Sequence, residues 1–330
     1  MAARTAGAFE QHVGRLLRRF DIAVVRDYGV VVAFIALFIT LSVSSSVFFT
    51  SENMKNLAFQ TAPIGIMAVG GTLVFIAGGF DLSVGAVSAF SGIIAAKTFV
   101  GTGVGLWGSL IVGALAGLGC GIANGLLVTL GRVNAFIATL ATAIIINGIA
   151  QVITKGNLVS VEGDRFTTLG LGSAGGIQYP VFVWIAVAAI CGLLLWLTKF
   201  GRYVYAAGGN AEAARLAGVR VNVVRASTFA ISGLCAGIAG VILVSEVSTA
   251  QWDANRGIEF DVITAIVLGG VSLLGGEGAI WRAVLGAFFL QTIGNGFNLL
   301  GTSTQWQYVI KGMILAAAVS LDAWARRRRT

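Results

Sequence analysis

Charge is scarce in this chain of 330 residues: 11% of its positions are charged, while 57% are hydrophobic. Soluble domains carry about 25% charged residues, so a solvated shell around so apolar an interior is excluded. Histidine occurs once, as His12 near the N-terminus, which rules out a histidine-based zinc centre or catalytic triad in the apolar region. The three cysteines, Cys120, Cys191 and Cys235, each sit in an apolar run and none belongs to a CxxC pair. They read as small buried hydrophobes, not as a disulfide frame or metal site. A phosphate-cradling loop is missing too. The only Lys-Ser/Thr dipeptide is Lys97-Thr98, and Ala96 stands where that loop requires glycine, so the chain does not itself hydrolyse ATP.

What the chain has is long apolar runs. Tyr28–Ser51, Asn56–Phe80, Val133–Thr154 and Phe166–Thr198 contain no charged residue. A bilayer core about 30 Å thick needs about 20 mainly apolar residues per helix, so these runs predict an all-α, polytopic integral membrane bundle. The expected count is about ten spanning helices. They fall near 28–48, 59–79, 83–100, 106–130, 134–154, 180–198, 225–245, 260–275, 282–300 and 306–322. The pairs around Asp81 and Glu277 have short connections and read as broken or re-entrant helices. Glycine is abundant (46) and proline scarce (2). Small residues let membrane helices approach closely, and some of the same residues can line a polar path.

Basic residues orient the bundle. With the N-terminus inside, Lys55, Lys97, Lys155, Arg165 and Arg256 form the outer set. Lys311 falls within the last span, and every other Lys and Arg of the 22 lies on the inner side. The positive-inside rule therefore predicts both termini in the cytoplasm, and the net charge of +8 reports topology, not a nucleic-acid footprint. Residues 1–27 form a cytoplasmic lead-in, either an amphipathic helix carrying Phe9, Val13, Leu16, Leu17 and Phe20 or a frayed basic segment. Residues 28–322 form the membrane domain. Residues 323–330 are a basic tail, with Arg326–Arg329 placed to meet lipid phosphates. Two outer connections, Gly156–Tyr179 and Val247–Glu259, either receive an external partner or are plain solvated loops.

One cytoplasmic loop, residues 199–225, is too polar to span. Gly208 and Gly209 predict a flexible turn, Asn210 an N-cap, and Ala211, Glu212, Ala213, Ala214, Arg215, Leu216 and Ala217 a short helix stopped by Gly218. Such a rod is either an ordinary loop helix or a protrusion that passes force between a soluble motor and the bundle. Within the spans, Asp81 after Gly78-Gly79 either N-caps the next helix or faces a substrate path. Ser83, Asn124, Asn147, Asn295 and Asn298 are the other candidate path residues, each equally able to bond a neighbouring helix. A short echo links Gly78-Gly79, Leu82 and Gly85 to Gly269-Gly270, Leu273 and Gly276.

The segment GRYVYAAGGNAEAARLAGV, Gly201–Val219, resembles the cytoplasmic motif of ABC-type sugar permeases of the ribose/xylose/galactose group. Gly70–Gly92, Asn124–Thr142 and Ala265–Ala287 resemble further segments of that family. The chain departs from the family pattern at Val133-Asn134-Ala135, where a proline is usual, and at Ala279-Ile280-Trp281-Arg282. The resemblance implies a translocation subunit in the bacterial inner membrane for a monosaccharide or polyol. It implies that Gly209–Gly218 is the coupling helix that docks on an ABC ATPase subunit. It also implies ATP and Mg on that ATPase and none on this chain, a periplasmic or lipid-anchored substrate-binding protein, and a second permease copy. Within the family, a branched-chain amino acid or nucleoside permease is the alternative. Outside it, an ion-coupled secondary transporter would use ionisable residues such as Asp81, Glu246, Asp261 and Lys311, and a membrane enzyme would need an acid–base pair that the spans do not offer.

Overall fold

The computed structural model describes residues 22–102, 104–161 and 164–327. Most of the N-terminal lead-in and the last three residues lie outside the described residues. Helix α1 spans Ile22–Ser44, so it begins within the expected lead-in. It is followed by α2 (Ser51–Ile76), α3 (Val84–Thr102), α4 (Gly105–Thr129) and α5 (Ala135–Thr154). Next come β1 (Val159–Ser160), α6 (Asp164–Leu171), β2 (Ser173–Ala174), β3 (Ile177–Gln178) and α7 (Tyr179–Leu197). The chain continues through α8 (Lys199–Gly209), α9 (Ala211–Leu216), α10 (Val221–Val247), β4 (Thr249–Ala250), α11 (Ile258–Leu268), α12 (Ile280–Leu299) and α13 (Thr304–Arg327). Six of these, α2, α3, α4, α5, α7 and α10, are long and apolar enough to cross a membrane. Among the others, α11 has only 11 residues, because the chain expected to span 260–275 stops being helical at Leu268. The structure is thus a helical, multi-pass membrane bundle.

Helix α10 forms the centre. It packs on α4 along a stripe of glycine at four-residue spacing, Gly113, Gly117, Gly121 and Gly125, which all lie on the buried face of α4. A methyl group on Gly117 would overlap the Gly233 carbonyl oxygen, and one on Gly121 would overlap that of Phe229. The two backbones touch directly, which settles these four glycines as packing residues in the way small residues serve membrane helices.

At the end of the bundle opposite α8 and α9, the two long connections are folded, not simply solvated. Strand β1 pairs with β4 through Val159 opposite Ala250 and Ser160 opposite Thr249. Helix α6 buries Phe166 completely, and Ser245 of α10 accepts from the Gly170 amide at 2.7 Å. These ladders are short additions to an otherwise helical fold and carry no pattern long enough to be read in the sequence.

The sequence predicts a flexible turn at Gly208 and Gly209, and the structure differs. They are not a loose turn but the last residues of α8, capped at Thr198 by a hydroxyl that accepts from Gly201 N. Gly208 is required because a side chain there would overlap the Ile76 carbonyl oxygen and crowd the Gly276 amide nitrogen. Tyr205, on the same helix, donates its hydroxyl proton to the Gly278 carbonyl at 2.7 Å, and burial raises its pKa.

The stripe gives a direct test. Gly121→Ile should lower stability in detergent by about 1–3 kcal/mol, the usual range for overpacking, seen as a fall in the thermal unfolding midpoint. Gly119→Ala should not lower the midpoint, because nothing lies within 4 Å of the added Cβ.

Candidate functional site

Helix α2 stops at Ile76 because Gly78 takes a left-handed conformation (φ 75°). Its amide reaches the Phe75 carbonyl and the Gly79 amide the Val74 carbonyl, both at 2.9 Å, which closes the helix end in a Schellman turn. Helix α11 ends the same way at Gly270 (φ 82°), with its amide on Val267 O at 2.8 Å. The echo seen in the sequence is therefore real as a structural device, displaced by one residue, since Gly78 matches Gly270. The two broken segments meet where the Gly276 amide donates to Ile76 O at 2.8 Å. Arginines take two further carbonyls: Arg225 Nε donates to Ala77 O at 3.0 Å, and Arg282 Nη1 to Gly270 O at 3.2 Å.

Asp81 lies in the first break and is 4% exposed. Its Oδ1 accepts from Ser83 N (2.9 Å) and Ser83 Oγ (2.6 Å), and its Oδ2 from Ser232 Oγ (2.8 Å). The carboxylate thus forms a local turn and a bridge to α10. It does not N-cap α3, whose first helical residue is Val84 and which Ser83 precedes, so that part of the sequence expectation is corrected. From Ser83 the chain of bonds runs on. Asn124 Nδ2 donates to Ser83 Oγ at 2.7 Å, and Thr142 Oγ1 donates to Asn124 Oδ1 at 2.6 Å. Four elements, the α2–α3 break, α4, α5 and α10, are held by one buried polar network. Such networks are costly to leave part-satisfied.

Beside this network is a cavity of about 320 Å³. Leu82 and Gly85 form one wall, α5 supplies Phe136 and Asn147, the segment leading into α11 supplies Trp252, Asn255 and Arg256, and the first turn of α11 supplies Glu259 and Phe260. The volume lies at the small end of the range for small-molecule sites, about 300–1,000 Å³, and the mixture of aromatic faces with a few polar groups is their usual lining. Asn255 donates to Ser88 Oγ at 2.9 Å, the Arg256 guanidinium stands 5.6 Å over the Trp252 ring, and Glu259 accepts from Gly257 N at 3.1 Å. The Asn147 amide makes no hydrogen bond among the described residues and faces this space. Its flank on α5 is open and apolar, with Ile137 and Ile144 exposed.

The structure therefore gathers Asp81, Ser83, Asn124 and Asn147 and leaves out the other two candidates. Asn295 exchanges paired amide bonds with Asn53 at 3.0 and 2.9 Å, tying α12 to the start of α2. Asn298 accepts from Gln307 at 2.8 Å at the α12–α13 connection. Asp261 and Lys311 satisfy each other at 2.8 Å. Sequence reasoning missed Ser232, Thr142 and the polar residues of 252–259. The nearest available signal was Trp252 beside three charged residues in an otherwise apolar region.

On the opposite flank of the breaks stands α9. Asn210 Oδ1 accepts from the Glu212 and Ala213 amides at 3.1 and 3.0 Å, as an N-cap does. Gly218 (φ 84°) closes the other end in a Schellman turn, Gly218 N to Arg215 O at 3.0 Å and Val219 N to Ala214 O at 2.9 Å. Ala214 is the buried contact; Glu212 and Arg215 pair on the surface at 3.2 Å, and Leu216 is 83% exposed.

The family described as "Branched-chain amino acid transport system / permease component" matches residues 53–319. The chain belongs to this permease family. The permease is 38% identical to the ribose import permease protein RbsC of Escherichia coli (strain K12), over 92% of its own length and 96% of that protein's. It is 41% identical to the L-arabinose transport system permease protein AraH of the same strain, over 92% of both. Against the RbsC of Bacillus subtilis (strain 168) the figures are 39%, 92% and 94%. It is a transport subunit of an ABC importer and not an enzyme, and the family implies an ATPase and a substrate-binding protein as partners.

Removing one arm of the permease's buried network should be measurable. Ser232→Ala leaves Asp81 Oδ2 without its partner, at a cost of about 1–2 kcal/mol, read as a lower thermal midpoint. Asn298→Ala should leave that midpoint unchanged.

Proposed function

We propose that this permease forms the translocation path of an ATP-driven importer for a monosaccharide, in the pentose range of its ribose and arabinose relatives. The bundle crosses the bacterial inner membrane ten times with both termini in the cytoplasm. The observation that carries the mechanism is the exposed, doubly capped helix α9 and its mechanical connection to the helix breaks. Helix α9 follows α8 directly, joined to it through the single extended residue Asn210. Gly208 of α8 rests on Ile76 and Gly276, and Arg225 bridges Ala77 O and Ala207 O. A push on α9 therefore reaches the ends of both broken helices, one residue run away from Asp81 and the cavity.

A partner ATPase, holding ATP and Mg, would engage Gly209–Gly218 and draw the two α9 helices of a permease pair together. The second copy would cover the apolar flank of α5 and close the cavity on its open side. The bundle would then alternate between two packings, open outward and then inward. A periplasmic or lipid-anchored binding protein would deliver the sugar at the β1–β4 end. In the cavity, Trp252 and Phe136 offer faces for the apolar side of a sugar ring, and Asn147, Asn255 and Glu259 offer hydrogen bonds for hydroxyls. Selectivity would rest mainly with the binding protein, so the path needs only moderate affinity.

Glu212→Arg, or deletion of residues 210–217, should abolish uptake into proteoliposomes while the reconstituted ATPase still turns over and the helical circular dichroism is retained. Unchanged uptake in both variants would refute the coupling role. Trp252→Ala should lower the uptake rate about ten-fold or more, the loss expected when a ring-stacking platform worth about 1–3 kcal/mol is removed. Cysteine introduced at Arg215 should react with an impermeant maleimide only after cells are permeabilised, and cysteine at Lys155 should react in intact cells.

A further inference from the structure

A second cavity, of about 650 Å³, opens on the side of the bundle at the α8 end and takes no part in the path described above. Its walls are Gly192 and Trp196 of α7, Arg202 and Tyr205 of α8, and Trp281 and Val284 of α12. The two indoles are 79% and 51% exposed, so they face outward from the fold. The walls are apolar, the rim is basic, and no acidic side chain lines the groove. Arg202 is exposed, and it makes no ion pair among the described residues. Lys199 is exposed one turn earlier on the same helix, and the Arg282 guanidinium stands 5.5 Å over the Trp281 ring.

Apolar walls, two outward-facing indoles and a cationic rim are together the signature of the membrane interface. Tryptophan settles at headgroup depth, and basic pockets between helices on the cytoplasmic side hold anionic headgroups. We propose that this groove is a binding site for one anionic phospholipid of the inner leaflet, an acyl chain lying between α7 and α12 and the phosphate held by Arg202. The leaflet, but not the occupant, rests on the inward orientation proposed above. The competing occupant is the chain's own residues 1–21. They carry Arg4, Arg15, Arg18 and Arg19 against two acids, Glu10 and Asp21, so their net charge matches the rim in sign and opposes it.

The full-length permease in phosphatidylcholine vesicles, doped with a low fraction of brominated-chain lipid in both leaflets, tests this by tryptophan quenching. Brominated phosphatidylglycerol should quench at about five-fold lower mole fraction than brominated phosphatidylcholine, and Arg202→Gln should remove that preference. The selective component should vanish in the double variant Trp196→Phe/Trp281→Phe. The proposal is overturned by equal quenching with the two lipids, by a preference that survives Arg202→Gln, or by a selective signal that persists without the two indoles. It is likewise overturned if removing residues 1–21 raises quenching equally for both lipids, which would make that segment the occupant. Lipid in both leaflets keeps the readout independent of orientation. An inverted bundle would leave the preference intact and would appear only in the maleimide labelling.

Discussion

Two helices of this bundle end in its buried interior, and the carbonyls thereby opened must find partners within the protein. The structure answers with backbone and with arginine. Gly276 N takes the carbonyl of Ile76, Arg225 that of Ala77, and Arg282 that of Gly270. A positive charge at a helix C-terminus also suits the helix dipole, so each guanidinium acts twice. Because the second break supplies the amide that takes the Ile76 carbonyl, the two breaks lie in contact. That contact fixes where α8 can pass and why it must present a glycine there.

From this junction the two halves of the function diverge. On one flank the polar network from Asp81 to Thr142 holds α4, α5 and α10 around the start of α3, and the aromatic cavity opens beside it. On the other flank α8 carries α9 into solvent. The distance between the cavity and the exposed helix α9 is thus bridged by close backbone contacts. Backbone contacts of this kind transmit displacement without the slack of long side chains.

Much of this was legible in the sequence where the signal is local. Asn210 followed by an alanine-rich turn and then Gly218 encodes both caps of α9, and Gly78 encodes a stop. What the sequence hides is partnership across distance. Ser232 lies 151 residues from Asp81, and Asn53 lies 242 from Asn295, so nothing local distinguishes an asparagine that braces two helices from one that faces a cavity. Gly208-Gly209 misled for the opposite reason. A glycine pair in a polar segment reads as a turn, whereas here it is helical and marks the place where another backbone comes too near for a side chain. The charged residues at 253–259 read as a solvated loop, because their fold depends on the pairing of β4 with β1.

The glycine seam between α4 and α10 has a consequence for motion. Where Gly117 and Gly121 meet Gly233 and Phe229, backbone lies on backbone with no side chain between to exchange rotamers, so that stretch resists a change of register. The pair behaves as a keel. In the alternation proposed above, rearrangement would then fall to the interrupted helix α11 and its neighbour α12, which would swing about a spine that stays still.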